Sequence, residues 1–235
     1  MTEEISAIYP HIVDIAALVW FVLCWAVYFA YTKQRKMSRP SLLNAMDQWR
    51  EEWALSLNTR SNRIMDSQVI NGLVRKETFF ASTTILILAS SIALMGVGDS
   101  VNRLAENIPF AQPTPPALWG LKVTVLALIF VYAFFKFSWS IRQHSYSAIL
   151  LGSIPDPDSC TPEKAKDHAL RLARLSSLGA RHFNDGIRAY YFALAELSWF
   201  INPLLLVAAT AWVVSVLYRR EFHSKALLLL STPQK

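Results

Sequence analysis

Four long apolar segments constrain the fold of this chain more than any other feature. Residues 78–98 and 197–218 are runs of 21 and 22 residues without a charged side chain. Residues 15–31 add 17 uncharged residues, and residues 117–135 form a 19-residue segment interrupted only by Lys122. Because a helix needs about 20 apolar residues to cross a bilayer, the pattern predicts an all-α integral membrane protein with four transmembrane helices and disfavours a soluble helical bundle.

The predicted spans are residues 12–31, 78–98, 117–135 and 189–218, and residues 1–235 are expected to form a single membrane domain. The two long connections, residues 32–77 and 136–188, are expected to be cytoplasmic helical segments. The first ten residues contain two glutamates and no Lys or Arg. A cleavable signal peptide has a basic start, so we expect the first helix to remain in the mature protein.

Basic residues predict the orientation in a cell inner membrane. Nine Lys or Arg residues lie between residues 32 and 77, and eight lie between 136 and 188. Only Arg103 lies in the connection between the second and third spans. The positive-inside rule therefore places both long connections in the cytoplasm and both termini outside, with a periplasmic N-terminus. Arg219, Arg220 and Lys225 after the fourth span weaken this prediction for the C-terminal tail, whose side stays open.

An amphipathic helix is predicted in the first long connection. In residues 41–57, apolar side chains including Trp49 and Trp53 recur at helical spacing, while charged side chains occupy the other face. Trp49 and Trp53 suit the headgroup boundary of a membrane, as does Arg188 at the inner end of the fourth span. The alternative is that both tryptophans pack against other helices of the same protein.

The sequence also predicts boundaries for two further helices. Residues 62–98 contain no proline, so the second transmembrane helix is expected to begin well before the bilayer. A helix start is predicted at Pro162, in a Thr-Pro-Glu sequence. This helix is expected to end near Leu178 and Gly179, and the Asn-Asp-Gly sequence at residues 184–186 is typical of a loop.

The two halves of the chain are similar in layout. Each has an inward helix, a basic helical insertion and an outward helix. The outward helices begin RKETFFAS at residues 75–82 and IRAYYFAL at residues 187–194, each with a basic residue four positions before a phenylalanine. Parallel repeats of this kind occur in transporters. The alternative is that any helix entering a membrane from the cytoplasm starts with basic and aromatic residues.

The fourth span contains the most unusual polar residues. Glu196 lies eight residues, or roughly 12 Å, beyond Arg188, and a carboxylate at that depth costs a few kcal/mol unless it is paired, protonated or hydrated. Pro203 removes a backbone hydrogen bond to the Trp199 carbonyl and is expected to kink the helix. Together with Asn202, these side chains predict a polar interior surface or ion path. The alternatives are a structural carboxyl and an ordinary proline kink.

Two more charged residues lie inside predicted spans. Asp14 is near the outer end of the first helix, and Lys122 is near the outer end of the third. Two arrangements are open: the two side chains pair across the helices at similar depth, or each of them reaches water at the boundary.

No catalytic or metal site is predicted. His144, His168, His182 and Asp185 show no metal-binding spacing, and no phosphate-binding glycine loop or nucleophile motif is present. Cys24 and Cys160 lie in separate segments and are not expected to form a disulfide. A non-enzymatic protein is favoured, nothing identifies a cofactor, and the net charge of +6 reflects membrane topology rather than nucleic-acid binding.

The sequences RKETFFAS and GIRAYYFALAELSWFINP, which open the second and fourth spans, resemble those of a family of membrane proteins called domain of unknown function 599. The resemblance extends from about residue 12 to residue 218. It implies the four-helix fold and no activity, so no functional residue carries over from the family.

Two functions from different classes fit these features. The first is a non-catalytic, homo-oligomeric channel or transporter-like protein in the lipid bilayer. The second is an accessory or scaffolding subunit of a larger membrane complex, in which Glu196 is structural. A membrane enzyme that uses the cytoplasmic histidines and arginines is a third and weaker hypothesis.

Overall fold

The computed structural model describes residues 2–34, 41–60, 62–98, 100, 114–155 and 159–231. Within these ranges the chain is helical and contains no strand. Four helices are long and apolar enough to cross a membrane, which confirms the predicted all-α membrane fold. The helices are α1 (Thr2–Gln34), α2 (Leu42–Ser56), α3 (Ile64–Met95), α4 (Pro116–Gly152), α5 (Pro162–Leu197), α6 (Pro203–Phe222) and α7 (Lys225–Ser231).

The predicted starts of α3 and α5 are confirmed, and α2 begins with a cap residue. Ser41 caps α2, because its hydroxyl accepts the backbone N–H of Asn44 at 3.3 Å. The long proline-free segment forms the single helix α3, and α5 begins at Pro162, where a proline needs no backbone donor.

The predicted end of α5 near Leu178 is wrong. The helix continues for 36 residues, through Gly179 and through the Asn-Asp-Gly sequence that is typical of a loop. Glycine disfavours a helix interior by about 1 kcal/mol, so packing must compensate for that cost at both glycines.

That packing is visible where α4 crosses α5. A Cβ atom at Gly179 would lie 2.7 Å from His144 Cε1, and one at Gly186 would lie 2.5 Å from Phe137 Cε1. Both pairs are spaced by seven residues, or about two helical turns. The two glycines therefore allow the rings of α4 to contact the α5 backbone closely, and each glycine is required for that approach.

We expect Gly179→Ala to lower the free energy of unfolding by about 1–2 kcal/mol, because the added methyl group overpacks a ring that has no room to move. Gly72 is the matched control, since it lies in α3 and an added methyl group there would meet no atom within 4 Å. Gly72→Ala should stabilise the protein by up to about 1 kcal/mol. Unfolding in detergent micelles measures both changes, and equal effects at the two sites would contradict the close packing.

The fourth predicted span, residues 189–218, also needs correction. Helix α5 ends at Leu197, a 3-10 turn follows at Ser198–Phe200, and α6 starts at Pro203. The Asn202 side chain accepts the N–H of Leu204 at 2.8 Å and so caps the new helix. Pro203 occupies the first helical position, where its missing N–H costs nothing. The Asn-Pro pair therefore starts a helix rather than kinking one.

The chain divides into two compact units. The first unit contains Met1–Arg39, Ile87–Val131 and Arg188–Arg220, and the second contains Pro40–Leu86, Tyr132–Ile187 and Glu221–Lys235. Helices α3, α4 and α5 each contribute one part to each unit. The prediction of a single membrane domain stays a prediction.

In the first unit, α5 runs antiparallel to α6 and to α1. The Arg220 guanidinium near the end of α6 binds the Tyr191 hydroxyl of α5. On the α1 side, Trp25 stacks on Phe192 with ring centroids 5.0 Å apart, while Asp14, eleven residues earlier, contacts Trp199. The part of α5 before the turn therefore lies beside α6 instead of continuing it.

In the second unit, α4 runs antiparallel to both α3 and α5. Phe80 of α3 packs on Phe137 of α4 and Phe183 of α5, with ring centroids 5.5 Å apart in both pairs. An apolar core joins these helices to α2 and the turn that follows it. Its buried members are Ala54, Leu57, Ile70, Leu151, Ile154, Ala169, Leu172 and Ala173.

Both tryptophans of α2 use their indole N–H within the protein. Trp53 donates to Asp66 Oδ1 at 2.8 Å, and Trp49 donates to the Leu230 carbonyl of α7 at 3.3 Å. These contacts favour packing against the protein's own helices over the headgroup boundary as the role of this face.

The contact between α2 and α7 also bears on topology. Because the two helices touch, they lie on the same side of the membrane. The sequence left the side of the C-terminal tail open, and this contact places α7 on whichever side α2 occupies. Residues 189–218 are also not one crossing, because α5 and α6 form an antiparallel pair.

Candidate functional site

A buried ion pair joins α1 to α4 in the first unit. Lys122 Nζ of α4 lies 3.8 Å from Asp14 Oδ1 of α1, and both side chains are almost completely buried. Of the two arrangements that the sequence left open, the structure therefore contains the pair. The ammonium also donates to the Thr114 hydroxyl at 3.3 Å. A lysine inside a membrane protein is costly unless it is paired and hydrogen-bonded, and Lys122 meets both conditions.

The helix break supplies the third partner of this lysine. Lys122 Nζ donates to the Trp199 carbonyl at 2.8 Å, the acceptor that Pro203 was expected to leave free. The Trp199 indole N–H donates in turn to Asp14 Oδ1 at 2.6 Å. The turn at Ser198–Phe200 is therefore held to α1 and α4 by one backbone and one side-chain hydrogen bond.

Glu196 lies one turn before this contact and is completely buried. Within the described part of the chain, neither of its carboxyl oxygens has a hydrogen-bond partner. Lys122 is the positive charge that acts on it electrostatically. An ionised carboxylate without hydrogen bonds is strongly disfavoured in such a place, so Glu196 is the least satisfied polar group in this cluster.

Aromatic side chains separate the cluster from the other end of the unit. Phe192, one turn before Glu196, is completely buried and contacts the rings of Phe21, Trp25 and Tyr28. Arg188 lies one turn further back, with its guanidinium 5.6 Å from the centre of the Tyr28 ring. Its predicted position at the membrane boundary stays a prediction.

The cluster has a defined chemical capacity. The cluster contains two carboxyl groups, Asp14 and Glu196, and one ammonium group, Lys122, which pairs with Asp14. Asp14 is fixed by an ion pair and by the indole N–H, whereas Glu196 has no such partner among the described residues. Such a carboxyl group stays uncharged unless a cation or a rearranged neighbour compensates its charge, so a change in its protonation is coupled to its surroundings.

Six polar or proline candidates were predicted from the sequence, and four of them meet here: Asp14, Lys122, Glu196 and Trp199. Asn202 and Pro203 start α6 and act indirectly, by ending the hydrogen-bonding pattern of α5. Trp49 and Trp53 belong to the second unit and make the contacts described above.

A second buried pair was missed by sequence reasoning. His144 Nδ1 of α4 lies 2.9 and 3.1 Å from the two carboxyl oxygens of Glu77 in α3, and both side chains are about 1% exposed. Glu77 directly precedes the uncharged segment of residues 78–98. This position is typical of a residue at the membrane boundary. Only the packing of α3 on α4 shows that its carboxyl group is buried.

The other histidines do not form a metal site. No group of three or more possible metal ligands occurs among the described residues. His168 Nε2 lies 2.9 Å from the Leu150 carbonyl. Burial lowers the pKa of His182, and the nearby charge of Lys136 lowers it further, against the opposing effect of Asp185. Cys24 and Cys160 are free thiols, as expected.

Comparison with known proteins gives a family without an activity. The family described as "Protein of unknown function, DUF599" matches residues 16–226. No curated protein and no solved structure matches the chain. The match covers most of the sequence and agrees with the resemblance of the helix-opening segments. The chain is a multi-pass membrane protein and belongs to the DUF599 family.

Proposed function

We propose that this chain is a transporter-like or channel-forming protein that moves protons or small cations across the membrane. The observation that carries the proposal is Glu196, a fully buried carboxyl group without a hydrogen-bond partner in the described residues. Ionisable groups inside membrane segments that lack a structural partner commonly belong to ion or proton pathways.

The surroundings of Glu196 support this assignment. The turn that joins the antiparallel helices α5 and α6 leaves backbone carbonyl groups without helical partners, and free carbonyl groups at helix ends are used as ion ligands in transporters. Here the turn after Glu196 offers the Trp199 carbonyl to Lys122. Protonation of Glu196 would change the charge beside Lys122 and with it the balance of this ammonium between Asp14 and Trp199.

The proposal includes a homo-oligomer in the inner membrane, with the basic segments in the cytoplasm and the N-terminus in the periplasm. The charge distribution supports this orientation. A single unit of this size has few helices with which to enclose a pathway, which supports self-assembly. With α2 in the cytoplasm, α7 would be there too, since the two helices are in contact.

A flux measurement with purified protein in liposomes tests the proposal. A membrane potential drives protons into the vesicles, and a trapped pH-sensitive dye reports the change in internal pH. Matched vesicles with sodium or potassium gradients test the flux of these cations. We expect protein-dependent flux of at least one of these ions. Glu196→Gln keeps the side-chain volume but removes ionisation, so it should reduce that flux to the background of empty vesicles.

Glu52→Gln is the matched control, because Glu52 is exposed on α2 and its neutralisation should leave the flux unchanged. Gel filtration must show the same assembly for all three proteins. Full flux with Glu196→Gln would remove Glu196 from any ionisable role. No flux with the unmodified protein, together with failed assembly of Glu196→Gln, would instead support the accessory-subunit function.

A further inference from the structure

An open apolar groove runs between α5 and α6 in the first unit. Its volume is about 570 Å³, and it is lined by Tyr191, Leu194, Ala195, Ala208, Ala209, Trp212, Val213 and Val216. Three of the eight lining residues are alanines, whose small side chains leave open space between the two helices. Leu194 and Trp212 are 63% and 72% exposed at its edges.

One end of the groove is basic and aromatic. Tyr191 lines the groove, and its hydroxyl binds the guanidinium of Arg220, which also lies over the Tyr191 ring, 5.5 Å from its centre. Arg219 and Arg220 form the last turn of α6, a 20-residue apolar helix. Arg220 is exposed, and no carboxylate of the described residues pairs with it.

We propose that this groove is a binding site for an anionic phospholipid, with one acyl chain between α5 and α6 and the phosphate group bound by Arg220. Both the apolar shape of the groove and the positive charge of Arg220 at its end favour an anionic phospholipid. An acyl chain matches an open apolar groove on a membrane helix pair, and a basic side chain between membrane helices at headgroup depth binds acidic lipid headgroups.

Charge complementarity distinguishes this occupant from a second copy of the chain. A partner helix would fill the apolar groove without needing a cation at one end. An anionic lipid uses both parts at once, because its phosphate lies at the headgroup level while its chain extends towards the alanines. Tyr191 holds the guanidinium in place through the hydroxyl and the ring, which fixes the position of the charge. The site does not depend on ion transport.

Native mass spectrometry of the detergent-purified protein tests the site. The probes are phosphatidylglycerol and phosphatidylcholine with identical acyl chains, added at equal concentrations. We expect the anionic lipid to bind about fivefold more tightly, the effect of roughly one basic residue at the membrane surface. Arg220→Gln should remove this preference, and Ala208→Trp, which fills the groove at an exposed position, should abolish retention of both lipids.

Arg142→Gln is the matched control. Arg142 is also exposed and also binds a tyrosine, with its side chain donating to the Tyr146 hydroxyl at 2.7 Å, but neither residue lines this groove. The control should bind both lipids like the unmodified protein. Equal binding of the two lipids, or unchanged retention in Ala208→Trp, would overturn the proposal. Loss of dimers in Ala208→Trp with lipid retention intact would assign the groove to a second copy and overturn it equally.

Discussion

Lys122→Met is expected to lower the free energy of unfolding by about 3–5 kcal/mol, the usual cost of removing one partner from a buried ion pair. Methionine fills a similar volume but cannot donate hydrogen bonds. Asp14 would then be buried without its counter-ion, and the Trp199 carbonyl would lose its partner at 2.8 Å. Both consequences act at the same turn, so we expect the variant to unfold at markedly lower denaturant concentration in detergent micelles.

Two comparisons separate this effect from a general loss of charge. Lys164→Met removes an exposed lysine from α5 and should leave stability unchanged within about 0.5 kcal/mol. The double variant Asp14→Asn/Lys122→Met removes both charges and should recover part of the loss, because no unpaired ion is left buried. A Lys122→Met protein as stable as the Lys164→Met protein would show that the pair does not hold the turn.

Glu77→Leu is expected to destabilise the second unit by about 3 kcal/mol, because it leaves the buried His144 ring without its carboxyl partner. Glu77→Gln retains an oxygen that can accept the Nδ1 proton and should cost about 1 kcal/mol. The predicted order of stability is therefore the unmodified protein, then Gln, then Leu. Thermal unfolding monitored by circular dichroism measures it.

A second double variant tests whether the instability of Glu77→Leu comes from the unpaired His144 ring or from the changed shape of the side chain at position 77. Glu77→Leu/His144→Leu replaces both polar partners by apolar groups without placing a larger ring against Gly179. It should be more stable than Glu77→Leu alone, because no buried polar atom is orphaned. Glu163→Gln, at an exposed position of α5, provides the control for loss of a carboxylate. Similar stability of Glu77→Leu and Glu163→Gln would contradict the role of the buried pair.

The sequence predicted the helices better than it predicted their direction. Charge-free length identifies a membrane helix, and Pro162 marks a helix start by local chemistry. Hydropathy does not reveal a reversal inside an apolar segment, so residues 189–218 looked like one crossing. The Asn202-Pro203 pair was the available signal, since a cap residue followed by proline also starts a helix.

Part of the candidate site could be predicted from the sequence, because some of its features are also local. The similar depth of Asp14 and Lys122 allowed a pair, and Pro203 indicated a free carbonyl at Trp199, but the sequence did not show that Lys122 donates to this carbonyl. The helix end predicted near Gly179 was wrong. The conformational cost of a glycine in a helix is visible in the sequence, whereas the packing of Gly179 against His144 depends on the tertiary structure. The Glu77 partner of His144 lies 67 residues away in sequence, and no spacing rule connects them.

The protonation of Glu196 is the most direct test of the central claim, since ion handling requires this carboxyl group to exchange its charge state. Infrared difference spectra of the membrane-reconstituted protein, taken between acidic and alkaline pH, report protonated carboxyl groups through their C=O stretch. We predict a pH-dependent carboxyl band that persists in Glu52→Gln and disappears in Glu196→Gln. A spectrum in which Glu196→Gln changes no pH-dependent band would show a carboxyl group of fixed protonation, and would contradict its role in ion transport.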